Sequence, residues 1–284
     1  MKSIYFYFLC LCLFITNVLF AQKSSSWFTV KQIDSKTWLI DEHGAVNMYL
    51  LEGNNRALLI DTGLGVADLF SVVRSITNKP LYIVNTHGHI DHAGANYQFD
   101  SVYVHTNDMQ AIQKFNFPPS RKSVSEMTNK NYPSKSELYK EDPKKTKNIP
   151  IREGYVFDLG GRKVEVVETP GHTAGSICLL DVERKVLYSG DTNNTIVWLF
   201  LDESLPLSDY LVTLKKELSR INEFSILMPG HGPQASSEFI KDQVECVKSI
   251  LNGTCEKEIL ETFLGNKTLC KYGAAQVAYN PQNL

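Results

Sequence analysis

The 284 residues are 43% hydrophobic and 21% charged, with 29 Lys and Arg against 31 Asp and Glu. That apolar content and a net charge of −2 exclude a disordered chain and give no basic surface for a nucleic-acid partner. Gly 17 and Pro 11 exclude collagen-like and low-complexity chains, and the length allows one large domain or two small ones.

Residues 1–21 read as a secretory signal peptide: Lys2, an apolar run from Ile4 to Ile15, then Leu19-Phe20-Ala21. At 18 residues, Ile4 to Ala21 is at the short limit for a membrane span. Cleavage after Ala21 is therefore expected, with no stable membrane anchor and a periplasmic or secreted location. Residues 22–284 then form one mature domain, with 28 basic against 31 acidic residues once Lys2 is removed. Four of the six cysteines remain, and an oxidising compartment permits a disulfide. Cys178, in an apolar run, reads as a buried small hydrophobe, which leaves any bridge to Cys246, Cys255 and Cys270.

Short strands are expected over Phe28–Ile33, Thr37–Ile40, Asn47–Leu51 and Ala57–Ile60, with a helix over Val66–Ile76 and an apolar strand over Leu81–Val84. A second half repeats the style with strands over Val156–Leu159, Lys163–Glu168, Ile177–Leu180 and Val186–Tyr188. Helices follow over Ser208–Ile221 and Glu238–Leu251. Two such runs imply two layered α/β halves around one core. Residues 116–147, rich in Lys and Ser with Pro118-Pro119, form an insertion that is either a solvated loop or a lid over a site.

Five of the seven histidines fall at strand ends. After the strand at Leu81–Val84 comes Asn85-Thr86-His87-Gly88-His89-Ile90-Asp91-His92. His87 and His89, two apart on an extended loop, can reach one ion, while Asp91 and His92 can turn toward a second. Imidazole and carboxylate suit zinc, iron or manganese. Thr169-Pro170-Gly171-His172-Thr173, Ser189-Gly190-Asp191-Thr192 and Met228-Pro229-Gly230-His231-Gly232 each place one more donor at a strand end. All of these could converge on one sheet edge. His43 and His105 lie outside the pattern and read as a turn residue near the site and a strand-end surface residue. Trp198 and Phe200 are candidates for a substrate-pocket wall, with core packing as the alternative.

This constellation resembles the metallo-β-lactamase superfamily from Asp61-Thr62-Gly63 to His231, and its His-x-His-x-Asp-His motif is matched in full by His87, His89, Asp91 and His92. The resemblance implies a four-layer αβ/βα sandwich of the α/β class. It also implies two zinc ions, with iron or manganese as alternatives. His87, His89 and His172 would hold the first; Asp91, His92 and His231 the second; Asp191 would bridge. Asp61 would orient a ligand histidine. The implied activity is cleavage of an acyl bond (ester, lactone, thioester or amide) in a small-molecule substrate by a hydroxide held between the metals, with Asp91 orienting it and shuttling its proton.

Export favours a β-lactamase, yet Asp191 stands where dedicated β-lactamases generally carry Cys or Ser. The bridging Asp is the pattern of glyoxalase II-like thioesterases and lactonases. Residues 236–284 offer no clear basic pair for glutathione, whose thioesters are cytosolic. A di-iron redox protein of this fold typically has Glu where this chain has His89. A non-catalytic metal-binding protein would usually have lost ligands, and none is missing.

Overall fold

The computed structural model describes residues 27–113 and 118–284; the expected leader over 1–21 lies outside the described residues. Seven strands form the first sheet in sequence order: β1 (Phe28–Asp34), β2 (Thr37–Glu42), β3 (Val46–Glu52), β4 (Ala57–Ile60), β5 (Leu81–Val84), β6 (Ser101–His105) and β7 (Lys147–Ile151). The first four form an antiparallel meander and the last four run parallel. Helix α1 (Leu69–Ile76) makes the β4–β5 crossover, and α2 (Ile90–Ala93), α3 (Met109–Ile112) and α4 (Arg121–Met127) follow β5 and β6.

The second sheet contains β8 (Val156–Asp158), β9 (Lys163–Glu168), β10 (Ile177–Asp181) and β11 (Val186–Gly190). After β12 (Ile196–Leu199) and α5 (Leu207–Ser219) it adds β13 (Ile226–Pro229) and β14 (Ala235–Ser236). Helix α6 (Phe239–Leu251) leads into β15 (Glu258–Thr262), β16 (Gly265–Tyr272) and β17 (Ala275–Tyr279), which pair with β12 as a separate four-stranded sheet.

Strand alternation builds the layers. Leu51, Leu58 and Ile60 face Phe157, Val166 and Leu179 in a cluster between the two large sheets, while Met48, Leu50 and Leu59 face outward onto Leu69 and Val73 of α1. On the far side Cys178, Leu180 and Leu187 pack under Tyr210 and Leu214 of α5 and Val244 and Val247 of α6. The result is the αβ/βα sandwich, with three apolar layers where one core is expected from sequence. Strands apolar on both faces report burial on both sides.

At the end of the sandwich where β2 leaves its first turn, buried Arg162 bonds Asp181 at 2.7 Å and donates to the Lys36 carbonyl and the Thr37 hydroxyl, tying the halves together. Cys255 and Cys270 form a disulfide, and Cys178 and Cys246 are buried and free. Among the described residues no helix is long and apolar enough to cross a membrane.

Three local features depart from the sequence reading. Helix α1 starts at Leu69, because the Asp68 side chain caps Ser71 N while Ala67 bridges Leu138. The described part of the insertion packs on the first half: Val124 of α4 is buried, and Glu137 accepts from Trp27 N at 2.9 Å. His105 is at a strand end but is buried, not on the surface. Glu168 meets its Nε2 at 2.8 Å and Asn107 N its Nδ1, so burial leaves neither ring nitrogen unpaired.

Candidate metal centre

Seven donor residues arrive from four places. The loop after β5 brings His87 and His89, and α2 brings Asp91 and His92; His172 stands in the β9–β10 connection, Asp191 just past β11, and His231 just past β13. The structure brings all seven together at one end of the sandwich, in three overlapping groups: His87, His89 and His172; His87, His92 and Asp191; Asp91, His92 and His231.

Local chemistry fixes each approach. Asn85 Nδ2 and Thr62 N both donate to the His92 carbonyl at 2.8 Å, which holds α2 against β4. Asp108 accepts from Gly88 N at 2.7 Å on one side and from Thr173 Oγ1 and Gly175 N on the other, joining the His87 and His172 loops. A Cβ at Gly230 would meet Asp191 Oδ1 and His92 Cε1 at 2.6 Å, so the turn before His231 has room only for glycine.

The first trio contains three inward nitrogens without a proton among them. His172 Nδ1 lies 2.7 Å from the Trp198 carbonyl and must donate to it, leaving Nε2 a lone pair. Thr86 spends its hydroxyl proton on Asp61, so it accepts from His87 Nδ1, and His87 Nε2 is likewise bare. His89 Nε2 donates to Glu203 Oε1 at 2.6 Å, leaving Nδ1 bare. Yet His89 Nδ1 is 3.0 Å from His87 Nε2 and 2.9 Å from His172 Nε2. Three converging lone pairs repel unless a cation sits among them, and a tetrahedral zinc with bonds near 2.0–2.1 Å sets nitrogens about 3.3 Å apart. The donor set therefore fits a metal ion.

The second group follows the same rule. His92 Nδ1 donates to Asp61 Oδ2 at 2.8 Å and His231 Nδ1 to the Ala45 carbonyl at 2.6 Å, which turns both Nε2 atoms inward, 3.2 Å apart. Asp91 Oδ2 is 3.3 Å from His231 Nε2. Asp191 stands between the groups: Oδ2 is 3.4 Å from both His172 and His231 Nε2, and Oδ1, buried and without a hydrogen-bond partner, is 3.3 Å from His92.

Charge differs across the centre. Burial, with neighbouring His92 and His89, holds the His87 imidazole well below its ordinary pKa; burial and His89 hold His172 down at about 4. Burial also opposes charge on His92 and His231, but Asp191 and Asp91 outweigh it, raising His92 well above the usual range and His231 to about 10. Burial alone would raise both carboxyls; His92 and His231 instead hold Asp91 and Asp191 below it.

Several supporting groups carry no sequence signal. Glu203 on His89 and Asp108 between the loops follow no spacing rule, and the Trp198 and Ala45 carbonyls are backbone atoms that any residue supplies. Asp61, read as an orienting group, bonds His92 and Thr86 from a left-handed backbone (φ 62°). His43 occupies the β2–β3 turn, exposed, with its ring stacked on Trp27 at 4.6 Å.

The family model of the metallo-β-lactamase superfamily matches residues 42–242, which span every donor. The chain belongs to the metallo-β-lactamase superfamily. It is 30% identical over 229 residues to the human acyl-coenzyme A thioesterase MBLAC2, covering 72% of this chain and 81% of that one. An atrochrysone carboxyl ACP thioesterase of Aspergillus fumigatus is 25% identical over 66% of this chain and 50% of its own length. Among solved structures, a metallo-β-lactamase from Pontibacter korlensis superposes with a TM-score of 0.54 at 20% identity, over 78% of this chain and 99% of that one. The sec-alkylsulfatase Pisa1 from Pseudomonas sp. gives 0.59 at 15%, over 80% and 42%. These two share the fold. Superfamily membership and the thioesterase relatives together make this chain a hydrolase acting on acyl bonds.

Proposed function

We propose that the protein is an exported, zinc-dependent thioesterase with a dinuclear site. His87, His89 and His172 would hold one ion, Asp91, His92 and His231 the other, and Asp191 would bridge. The carrying observation is the convergence of three bare imidazole nitrogens, of His87, His89 and His172, on one side of the buried Asp191 carboxylate, with His92 and His231 Nε2 turned to its other side. Two divalent ions there would supply a water activated at neutral pH and positive charge to polarise a carbonyl oxygen.

The chain's own residues set the rest. Outer bonds from Glu203, Thr86, Asp61 and two backbone carbonyls fix the orientation of each ring toward the cluster. Asp91, partly exposed beside His231, is the carboxylate we assign to orient the water and take its proton. A cleft of about 200 Å³ lined by Asp41, Asn47 and His231 opens beside the second group. Thioester is chosen over lactone because the named relatives at 25–30% identity are thioesterases, and over β-lactam also because the bridging position is Asp191.

Purified protein, analysed for metal and assayed on an acyl thioester, a cephalosporin, an acyl-homoserine lactone and a phosphodiester, tests the reading. Two zinc equivalents with turnover of the thioester alone are expected. Turnover confined to the cephalosporin would replace it with a β-lactamase, and less than one metal per folded chain would leave a binding protein.

A further inference from the structure

The outer face of the four-stranded sheet carries an apolar strip of Trp198, Leu260, Leu269 and Ala278 beside Lys267 and the Lys271–Glu258 ion pair. In β12, Val197 and Leu199 point inward to the α5–α6 core, which turns Trp198 the other way. Trp198, only half-buried, joins Phe200 and Leu260 there; its ring centroid is 4.9 Å from that of Phe200 and 5.8 Å from that of Phe263. Phe263 and Leu264 form the two-residue tip of the β15–β16 hairpin, and they are 52% and 48% exposed. The Cys255–Cys270 disulfide anchors that hairpin near its base.

Two hydrogen bonds tie the segment that carries Trp198 to the donor histidines. The Trp198 carbonyl accepts from His172, and Glu203, three residues past Phe200, accepts from His89. We propose that this strip is the acyl subsite: the chain of a long-chain fatty acyl thioester lies along Trp198 toward Phe263 and Leu264. The proposal rests on the thioesterase reading and adds the acyl class to it.

Charge decides which end of the substrate fits. Glu203 stands at the cluster end of the face, where its carboxylate repels a phosphorylated thiol carrier but leaves a hydrocarbon chain unaffected. The Lys267 ammonium lies over the Phe200 ring, 4.9 Å from its centroid, so Phe200 already has a partner and the open apolar surface is that of Trp198 and the hairpin tip. Phe263 and Leu264, about half-exposed beside Trp198, gain free energy when something apolar covers them.

The test is the double variant Phe263→Ser/Leu264→Ser, whose exposed positions leave the fold intact. Metal-loaded enzyme is assayed on acetyl, octanoyl and palmitoyl thioesters, and dodecanoate binding is measured by calorimetry. The variant should raise KM for palmitoyl thioester about 10-fold, leave kcat/KM for acetyl thioester unchanged, and weaken dodecanoate about 10-fold. Equal KM changes at every chain length, or unaltered dodecanoate binding, would overturn the subsite. If no thioester is turned over, the thioesterase reading falls while dodecanoate still decides the subsite. Cosedimentation of wild type, and not the variant, with phosphatidylcholine vesicles, with palmitoyl KM unchanged, would make the tip a lipid-surface contact and overturn it also.

Discussion

The two halves of the sandwich build the donor cluster in opposite ways. The first half delivers four donors within six residues, His87 to His92, braced by Asp61, Asn85 and Asp108. The second half delivers three, one at a time, from the ends of separate segments near residues 172, 191 and 231. The first contribution is a rigid local structure; the second depends on how β9, β11 and β13 sit in their sheet. Geometry in the second half is thus a property of the whole half. Errors there should propagate to the site, and errors in the first half should stay local.

The sharpest break of that contrast is Asp191→Ala, which removes the one carboxylate facing both groups. Turnover should fall about 10⁴-fold or more, with circular dichroism unchanged and bound metal reduced by direct analysis. Full activity in folded protein would end the bridging assignment.

Next is Arg162→Ala, at the end of the sandwich where Arg162 bonds Asp181, Lys36 and Thr37 across the halves. Removing one partner strands a buried carboxylate, so urea denaturation should show a loss of about 3–5 kcal/mol. Metal stoichiometry in the folded fraction should fall with stability, because Arg162 and Asp181 belong to the half whose strands place His172 and Asp191. A variant that loses stability but not metal would show that the halves are positioned from the site end instead.

Glu217 separates the halves by pH. It is buried on α5, bonded to Asn193 and Cys178, with Tyr210 and Lys216 as its other charged neighbours. Burial raises its pKa from 4.5 to about 7. The folded state therefore keeps a proton that the unfolded chain releases, and stability falls as pH rises from 4.5 to 7, then levels. The full penalty is about 3 kcal/mol above pH 7. Glu42 in the first half, also raised to about 7 by burial, adds a similar slope. Glu217→Gln should remove roughly half of the combined pH dependence in melts between pH 4.5 and 8; an unchanged slope would place the titration elsewhere.

The same contrast explains what the sequence discloses. The first-half donors form one contiguous motif, and alternation places the strands around it, so β4, β5 and β9 are read to the residue. The second-half donors are individually ordinary turns that gain meaning only from the motif. β7 was hidden by Pro150 and its lysine-rich approach, yet it is an edge strand, where a missing amide is tolerated. Glu203, Asp108 and the Trp198 carbonyl act through long-range contacts that no local spacing encodes. His105 was misplaced because its partner, Glu168, is 63 residues away.

The smallest effect tests the local character of the first half. Asp61 accepts three hydrogen bonds, from Thr86 N, Thr86 Oγ1 and His92 Nδ1. Asn at that position keeps one acceptor oxygen for Thr86 N and puts an amide nitrogen at Oδ2, so His92 and the Thr86 hydroxyl lose their shared acceptor together, while that hydroxyl can still accept from His87 Nδ1. His92 belongs to the second group and not to the trio of His87, His89 and His172. Asp61→Asn should therefore weaken binding of the second zinc about 10–100-fold while the first is retained. Competition with a chromophoric chelator resolves the two steps. Equal weakening of both would mean that Thr86 passes the disturbance on to His87, and the bracing of this half would then be cooperative rather than residue by residue.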